Sequence, residues 1–144
     1  MGQPRVFIDG EAGTTGLQIY SRLAQRDDVT VVSIDPAKRK EVTERARLID
    51  AVDVAILCLP DGAAREVVEL VSSSTVKILD ASTAHRTHPD WVYGFPELRP
   101  GQRDEIATAH RVSNPGCYPT GFLAAIKPRV AAKLIPASVP VPIR

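Results

Sequence analysis

Val6-Phe7-Ile8-Asp9-Gly10-Glu11-Ala12-Gly13-Thr14-Thr15-Gly16 carries the first apolar run of the chain into a turn. Val6-Phe7-Ile8 reads as a short strand, three glycines follow at intervals of three, and Leu17, Tyr20, Leu23 and Ala24 then recur at helical spacing. Strand, glycine loop and helix in that order open a dinucleotide-binding sheet. In this reading Gly10 permits the tight turn, Gly13 lets backbone approach a pyrophosphate, and Gly16 lets the helix pack closely. Thr14 and Thr15 stand at the helix start, where unpaired N–H groups hold a pyrophosphate. The spacing differs by one residue from the commoner fingerprint, and the position directly after the first strand is what gives the pattern its meaning.

Moving outward, Thr30-Val31-Val32-Ser33-Ile34 predicts a second strand ending at Asp35, about where such folds place the residue that reads the ribose. Asp35 suits a free 2′-hydroxyl and hence NAD. Ser33, Lys38 and Arg39, with Lys40 beside them, suit a 2′-phosphate and hence NADP, and as a cluster they favour it. Each residue also has a plain reading, Asp35-Pro36 as a turn and the basic run as a solvated helix start.

Val42, Ala46 and Ile49 mark a helix over 41–50, and Val54 to Leu59 is a fully apolar run typical of a central parallel strand. Leu59 and Pro60 lead out of it into a cofactor-facing loop, and Asp61 is placed to cap a helix that buries Ala64, Val67, Val68 and Val71. Val76 to Leu79 gives a fourth strand. Strands and helices alternate throughout, which predicts an α/β, Rossmann-like, doubly wound parallel sheet with ligands at the carboxyl ends of its strands. The loops that matter are then 10–16, 59–62, 80–86 and 114–117.

The third of these, Asp80-Ala81-Ser82-Thr83-Ala84-His85-Arg86, is rich in groups that hold anions, with Arg86 able to grip a carboxylate or phosphate and Ser82 and Thr83 donating alongside. His85 and His88 have no third ligand nearby in sequence, so no metal site is expected. Trp91 to Leu98 reads as an ordered loop packed over the sheet. The fourth loop lies in Ser113-Asn114-Pro115-Gly116-Cys117-Tyr118-Pro119-Thr120-Gly121, which follows the apolar Arg111-Val112-Ser113 and sets Cys117 at a helix N-terminus, with Pro119 in the first turn. Unpaired N–H groups and the helix dipole favour a thiolate at such a position and donate to an oxyanion formed there. Cys58, inside Val54 to Leu59, reads as inert core.

Composition narrows the classes. The 144 residues are 44% hydrophobic and 24% charged, enough for one cored domain, and a net charge of +1 favours neither nucleic acid nor membrane. The N-terminus lacks the apolar core of a signal peptide and no run reaches membrane-spanning length, so a cytoplasmic protein with free thiols is expected.

Taken together, GEAGTTG, AILCLP, DASTAHRTHPDWVYGFPEL and SNPGCYPTG resemble N-acetyl-gamma-glutamyl-phosphate reductase, in its shorter subgroup, over nearly the whole chain. The resemblance implies NADP-dependent reduction of N-acetyl-glutamyl 5-phosphate to the 5-semialdehyde in arginine biosynthesis. It casts Cys117 as nucleophile and the acyl phosphate as small-molecule substrate, with Asn114 orienting the carbonyl and Arg86 and Ser82 holding phosphate or carboxylate. Such enzymes continue into a second domain carrying an acid–base histidine and the contacts of a homo-oligomer. Here His85, His88 and His110 all precede Cys117, and Pro136, Pro140 and Pro142 punctuate the end. The expected organisation is thus a dinucleotide-binding domain over 1–136 and an irregular tail over 137–144 left by truncation. A dinucleotide-binding fragment without turnover and an enzyme resembling aspartate-semialdehyde dehydrogenase are the alternatives.

Overall fold

Phe7, Ala55 and Ile78 stand side by side in register across three parallel strands, and this row is the centre of the hydrophobic core. The structure, a computed structural model, describes residues 2–136 and Ser138, so the expected tail otherwise lies outside the described residues. The elements are β1 (Arg5–Asp9), α1 (Thr14–Leu23), β2 (Thr30–Val32), α2 (Val42–Asp50), β3 (Val54–Leu57), α3 (Asp61–Leu70), β4 (Lys77–Asp80), β5 (Val92–Tyr93), α4 (Gln102–Thr108), β6 (Arg111–Ser113) and α5 (Cys117–Ala131). They form the expected α/β sheet, six parallel strands in the order β2-β1-β3-β4-β6-β5.

Side chains alternate across each strand, so Phe7, Ala55, Leu57 and Ile78 share one face. Leu48 and Ile49 of α2 and Val67 of α3 close it, with Trp91 at its border. Each large apolar side chain removed from water there contributes about 1.5–3 kcal/mol. Val6 and Ile8 are buried on the opposite face.

Several local readings need correction. Pairing with β1 ends at Val32, and the chain leaves the sheet at Ser33, whose Oγ donates to Glu11 at 2.9 Å. The third strand stops at Leu57, so Cys58 is half-buried at the sheet edge rather than in the core. Helix α1 is held close through Gly16 while Leu17 is 57% exposed, so its apolar positions do not form the buried face. Asp61 begins α3 without capping it, and its carboxylate accepts instead from the backbone N–H and hydroxyl of Thr83. Val92–Tyr93 forms a short edge strand, and α4 follows Gly101 at φ 80°.

Candidate active site

The strand order reverses beside β1, with β2 on one flank and β3 on the other, and a crevice opens there at the carboxyl edge. The loops beyond the strands are tied to their neighbours by backbone. Cys58 N–H donates to Asp9 C=O at 2.8 Å, Ala81 N–H to Leu57 C=O at 2.9 Å, and Asn114 N–H to Asp80 C=O at 2.7 Å. Gly10 turns at φ +90°, and a Cβ there would lie 2.4 Å from the Cys58 carbonyl oxygen. At Gly16 a Cβ would lie 2.2 Å from the Gly10 oxygen, so the loop can fold back on the helix only without side chains.

Two cavities occupy the crevice. A cleft of about 560 Å³ is lined by Gly13, Thr14 and Thr15 on one side and by Arg86, Asn114, Pro115, Gly116 and Cys117 on the other, with Cys58, Leu59 and Ala81 between. The second, about 380 Å³, lies between the glycine loop and the segment after β2, and Ile34, Pro36, Arg39, Lys40 and Arg45 line it. Leu59 borders both, and the glycine loop supplies a wall to each.

Both helices that start in the cleft start open. Gly13 and Gly116 are the N-caps of α1 and α5, neither supplies a side-chain hydrogen bond, and neither first turn carries an acidic residue. Their free N–H groups and positive dipole ends favour anions. Cys117 is the first residue of α5 and is exposed. Arg86 bridges towards it: Nε donates to the Asn114 carbonyl at 3.2 Å, and Nη1 would lie 2.6 Å from a Cβ on Gly116. The thiol of Cys58 is pushed up in pKa, first by burial and then by the charges of Asp9 and Asp80.

Other residues named from sequence sit differently. The Ser82 hydroxyl donates to Asp80 at 2.7 Å and Ser82 is buried outside the cleft lining. Asn114 is in the cleft wall, its amide donating to the Pro115 carbonyl at 3.2 Å. Ser33 faces Glu11, Asp35 accepts from Ala37 N–H at 2.9 Å as a turn residue, and Pro60 is the N-cap of α3. Arg39 lines the smaller cavity, but Lys40 rather than Lys38 joins it. His85 is buried, its Nδ1–H donating to Asp80 at 2.6 Å and its ring stacked on Trp91 at 4.1 Å. Among the described residues no group of three His, Cys, Asp or Glu could hold a metal, and no helix is long and apolar enough to cross a membrane.

Sequence reasoning missed one pair. Arg45, 7% exposed, donates from Nε to both carboxylate oxygens of Asp9, itself 4% exposed, at 3.0 and 2.9 Å. Burial raises the Asp9 pKa, and Arg45 pulls it back only in part. Nη2 of Arg45 is buried without an acceptor, which costs on the order of 1–3 kcal/mol. The signal was present: Arg45 falls on the same helical face as Val42, Ala46 and Ile49, where a charge needs a partner.

A parallel sheet with an open glycine loop at its switch point, facing an exposed cysteine on an uncapped helix, defines a dinucleotide-binding domain with a free thiol at its edge. Residues 34–109 match the family described as semialdehyde dehydrogenase, NAD binding domain. The chain belongs to that family. It is 66% identical over 143 residues to N-acetyl-gamma-glutamyl-phosphate reductase 2 of Nostoc sp., covering 99% of this chain and 44% of the relative. It is 54% identical, over 99% of itself and 46% of the relative, to the enzyme of that name from Burkholderia cenocepacia. The chain thus spans about half the length of these curated relatives. A solved aspartate semialdehyde dehydrogenase II from Vibrio cholerae, complexed with ASA, superposes with a TM-score of 0.61 at 16% identity, over 92% of this chain and 44% of that one. At that identity the likeness shows the fold.

Proposed function

We propose that this chain is the cofactor half of an N-acetyl-gamma-glutamyl-phosphate reductase that uses NADPH and a Cys117 thioester, in arginine biosynthesis. The observation that carries the reading is the pair of neighbouring cavities, one with Arg39 and Lys40 and the other with Cys117, that share the glycine loop and Leu59 as walls. The side-chain-free cradle at Gly10 and Gly16, the open start of α1 and the two exposed cations fit a dinucleotide with a 2′-phosphate. Identity of 66% over nearly the whole chain supports the substrate.

In this reading the Cys117 sulfur attacks the acyl carbon of the N-acetyl-glutamyl 5-phosphate, a C–S bond forms, and the C–O bond to phosphate breaks. Arg86 and the N-terminal N–H groups of α5 stabilise the leaving phosphate and the tetrahedral oxyanion. Asn114 shapes the wall against which the acyl group is oriented. When bound, the reduced nicotinamide supplies the hydride that takes the thioester to the aldehyde level. Collapse of the oxyanion then breaks the C–S bond and returns the thiolate.

The test is intact-mass analysis of protein incubated with N-acetyl-glutamyl 5-phosphate and no cofactor. An acyl adduct on Cys117, absent from Cys117→Ser and discharged as aldehyde by NADPH, is expected. The same adduct on Cys117→Ser, or a stable adduct from aspartyl phosphate alone, would replace this assignment, the second by an enzyme of the aspartate-semialdehyde type.

A further inference from the structure

Three cations and two carboxylates, Asp9 and Glu11, line the smaller cavity, Glu11 accepting from Ser33, and the cations are of two kinds. Arg39 and Lys40 are exposed, whereas Arg45 is buried and its charge is met by Asp9. An exposed charge draws an anion from a distance and is screened by salt, with a Debye length of about 8 Å at physiological ionic strength. The Arg45–Asp9 pair carries no net charge when both are ionised, so it attracts little at range. What it offers is direction: a planar fork already fixed at Nε, with Nη2 lacking any protein acceptor.

We propose that Arg45 is a specificity-determining residue of the dinucleotide site, held by Asp9 so that its terminal guanidinium N–H groups meet the 2′-phosphate of the bound adenosine. The inference rests on the NADPH reading above and deepens it. Three features converge on this placement. The cavity follows β2, where the ribose end of a dinucleotide lies in such sheets. Arg45 shares that cavity with Arg39 and Lys40. Its Nη2 is buried without a protein acceptor, so the terminal guanidinium keeps hydrogen-bonding capacity that Asp9 does not use.

The experiment measures binding of 2′,5′-ADP and 5′-AMP to the protein by calorimetry, beside the thermal midpoint of each ligand-free variant. Arg45→Lys keeps a cation for Asp9 and removes the fork. It is expected to weaken 2′,5′-ADP roughly tenfold, the value of one charge-assisted hydrogen bond, and to leave 5′-AMP nearly unchanged. That loss should persist from ~0.05 M to ~0.5 M salt, whereas the loss caused by Arg39→Ser should shrink as salt rises. If Arg45→Lys does not fold, the neutral pair Asp9→Asn with Arg45→Gln gives the same readout. Equal losses on both probes would make Arg45 a support of the loop and overturn the inference. Wild-type discrimination left intact by Arg45→Lys would also overturn it, while sparing the NADPH reading. A wild-type protein that does not discriminate between the probes would sink both.

Discussion

Replacing Arg45 by methionine should unfold the protein more readily at neutral pH than in mild acid. Asp9 is 4% exposed, and among the described residues the only side-chain hydrogen bonds it accepts come from Arg45. Arg45→Met therefore leaves a carboxylate in the interior with no partner, a loss of about 3–5 kcal/mol when the group is ionised. At about 3 °C per kcal/mol for a domain of this size, the thermal midpoint should fall roughly 10–15 °C at pH 7.5. The sign of the pH dependence follows from burial, which already holds the Asp9 pKa above its ordinary 3.8 and pushes it higher once the guanidinium is gone. A group with a raised folded-state pKa stabilises the fold while protonated, and that contribution is lost as pH rises through the folded value. The gap between wild type and variant should thus narrow from pH 7.5 to pH 4.5. Adding Asp9→Asn to Arg45→Met should recover at least half of the loss at pH 7.5. Differential scanning calorimetry at the two pH values decides the matter: a gap of the same size at both, or no recovery in the double variant, would refute the electrostatic account.

Alkylation offers a separate check. A brief iodoacetamide pulse at neutral pH should label Cys117 first, because it is exposed and Cys58 is half-buried with its thiol pKa raised. Label appearing first on Cys58 in a peptide digest would reverse the assignment of the nucleophile. Gly16→Ala places a methyl 2.2 Å from the Gly10 oxygen and 2.7 Å from Glu11 Cα, so the loop must move. A stability loss of about 1–3 kcal/mol is expected, together with a large loss of dinucleotide affinity; unchanged affinity would show that the loop does not hold the pyrophosphate.

The elements legible in the sequence are those whose signals are local. Val54 to Leu57 is apolar without a break because both faces of a central strand are covered, and Gly10 needs its glycine because the turn there runs at positive φ. What stayed hidden depends on long-range pairing or on the exact geometry of a loop. Val92–Tyr93 is a strand only because Val112 and Ser113 lie beside it, and a two-residue edge strand leaves no periodic trace. Nothing local says that Ser82 turns to Asp80 rather than outward, since one residue of loop geometry decides it. Lys38 and Lys40 are indistinguishable in the basic run, and the turn in which Lys38 N–H donates to Asp35 C=O at 2.8 Å decides between them. The Asp9–Arg45 pair spans 36 positions, and only the misfit of a charge on an apolar helix face announced it.

The histidines bear on how much chemistry this cleft can carry. His85 is committed to Asp80 and Trp91, the His110 carbonyl accepts from Ile78 N–H at the amino end of β6, and among the described residues no histidine lines the cleft with Cys117. In the proposed reduction, phosphate leaves as an anion and the thiolate returns when the C–S bond breaks. Charge therefore builds on phosphate and carbonyl oxygens, beside Arg86 and the open start of α5. Donors that stabilise those oxygens count for more in this direction than a proton shuttle. In the reverse direction the thiolate adds to the aldehyde, the oxidised nicotinamide would take the hydride when bound, and phosphate then adds to the resulting thioester and expels the thiolate, so the same donors serve in the opposite order. On the proposed reading, then, the donors around Cys117 serve acyl transfer there while proton transfer is supplied from elsewhere.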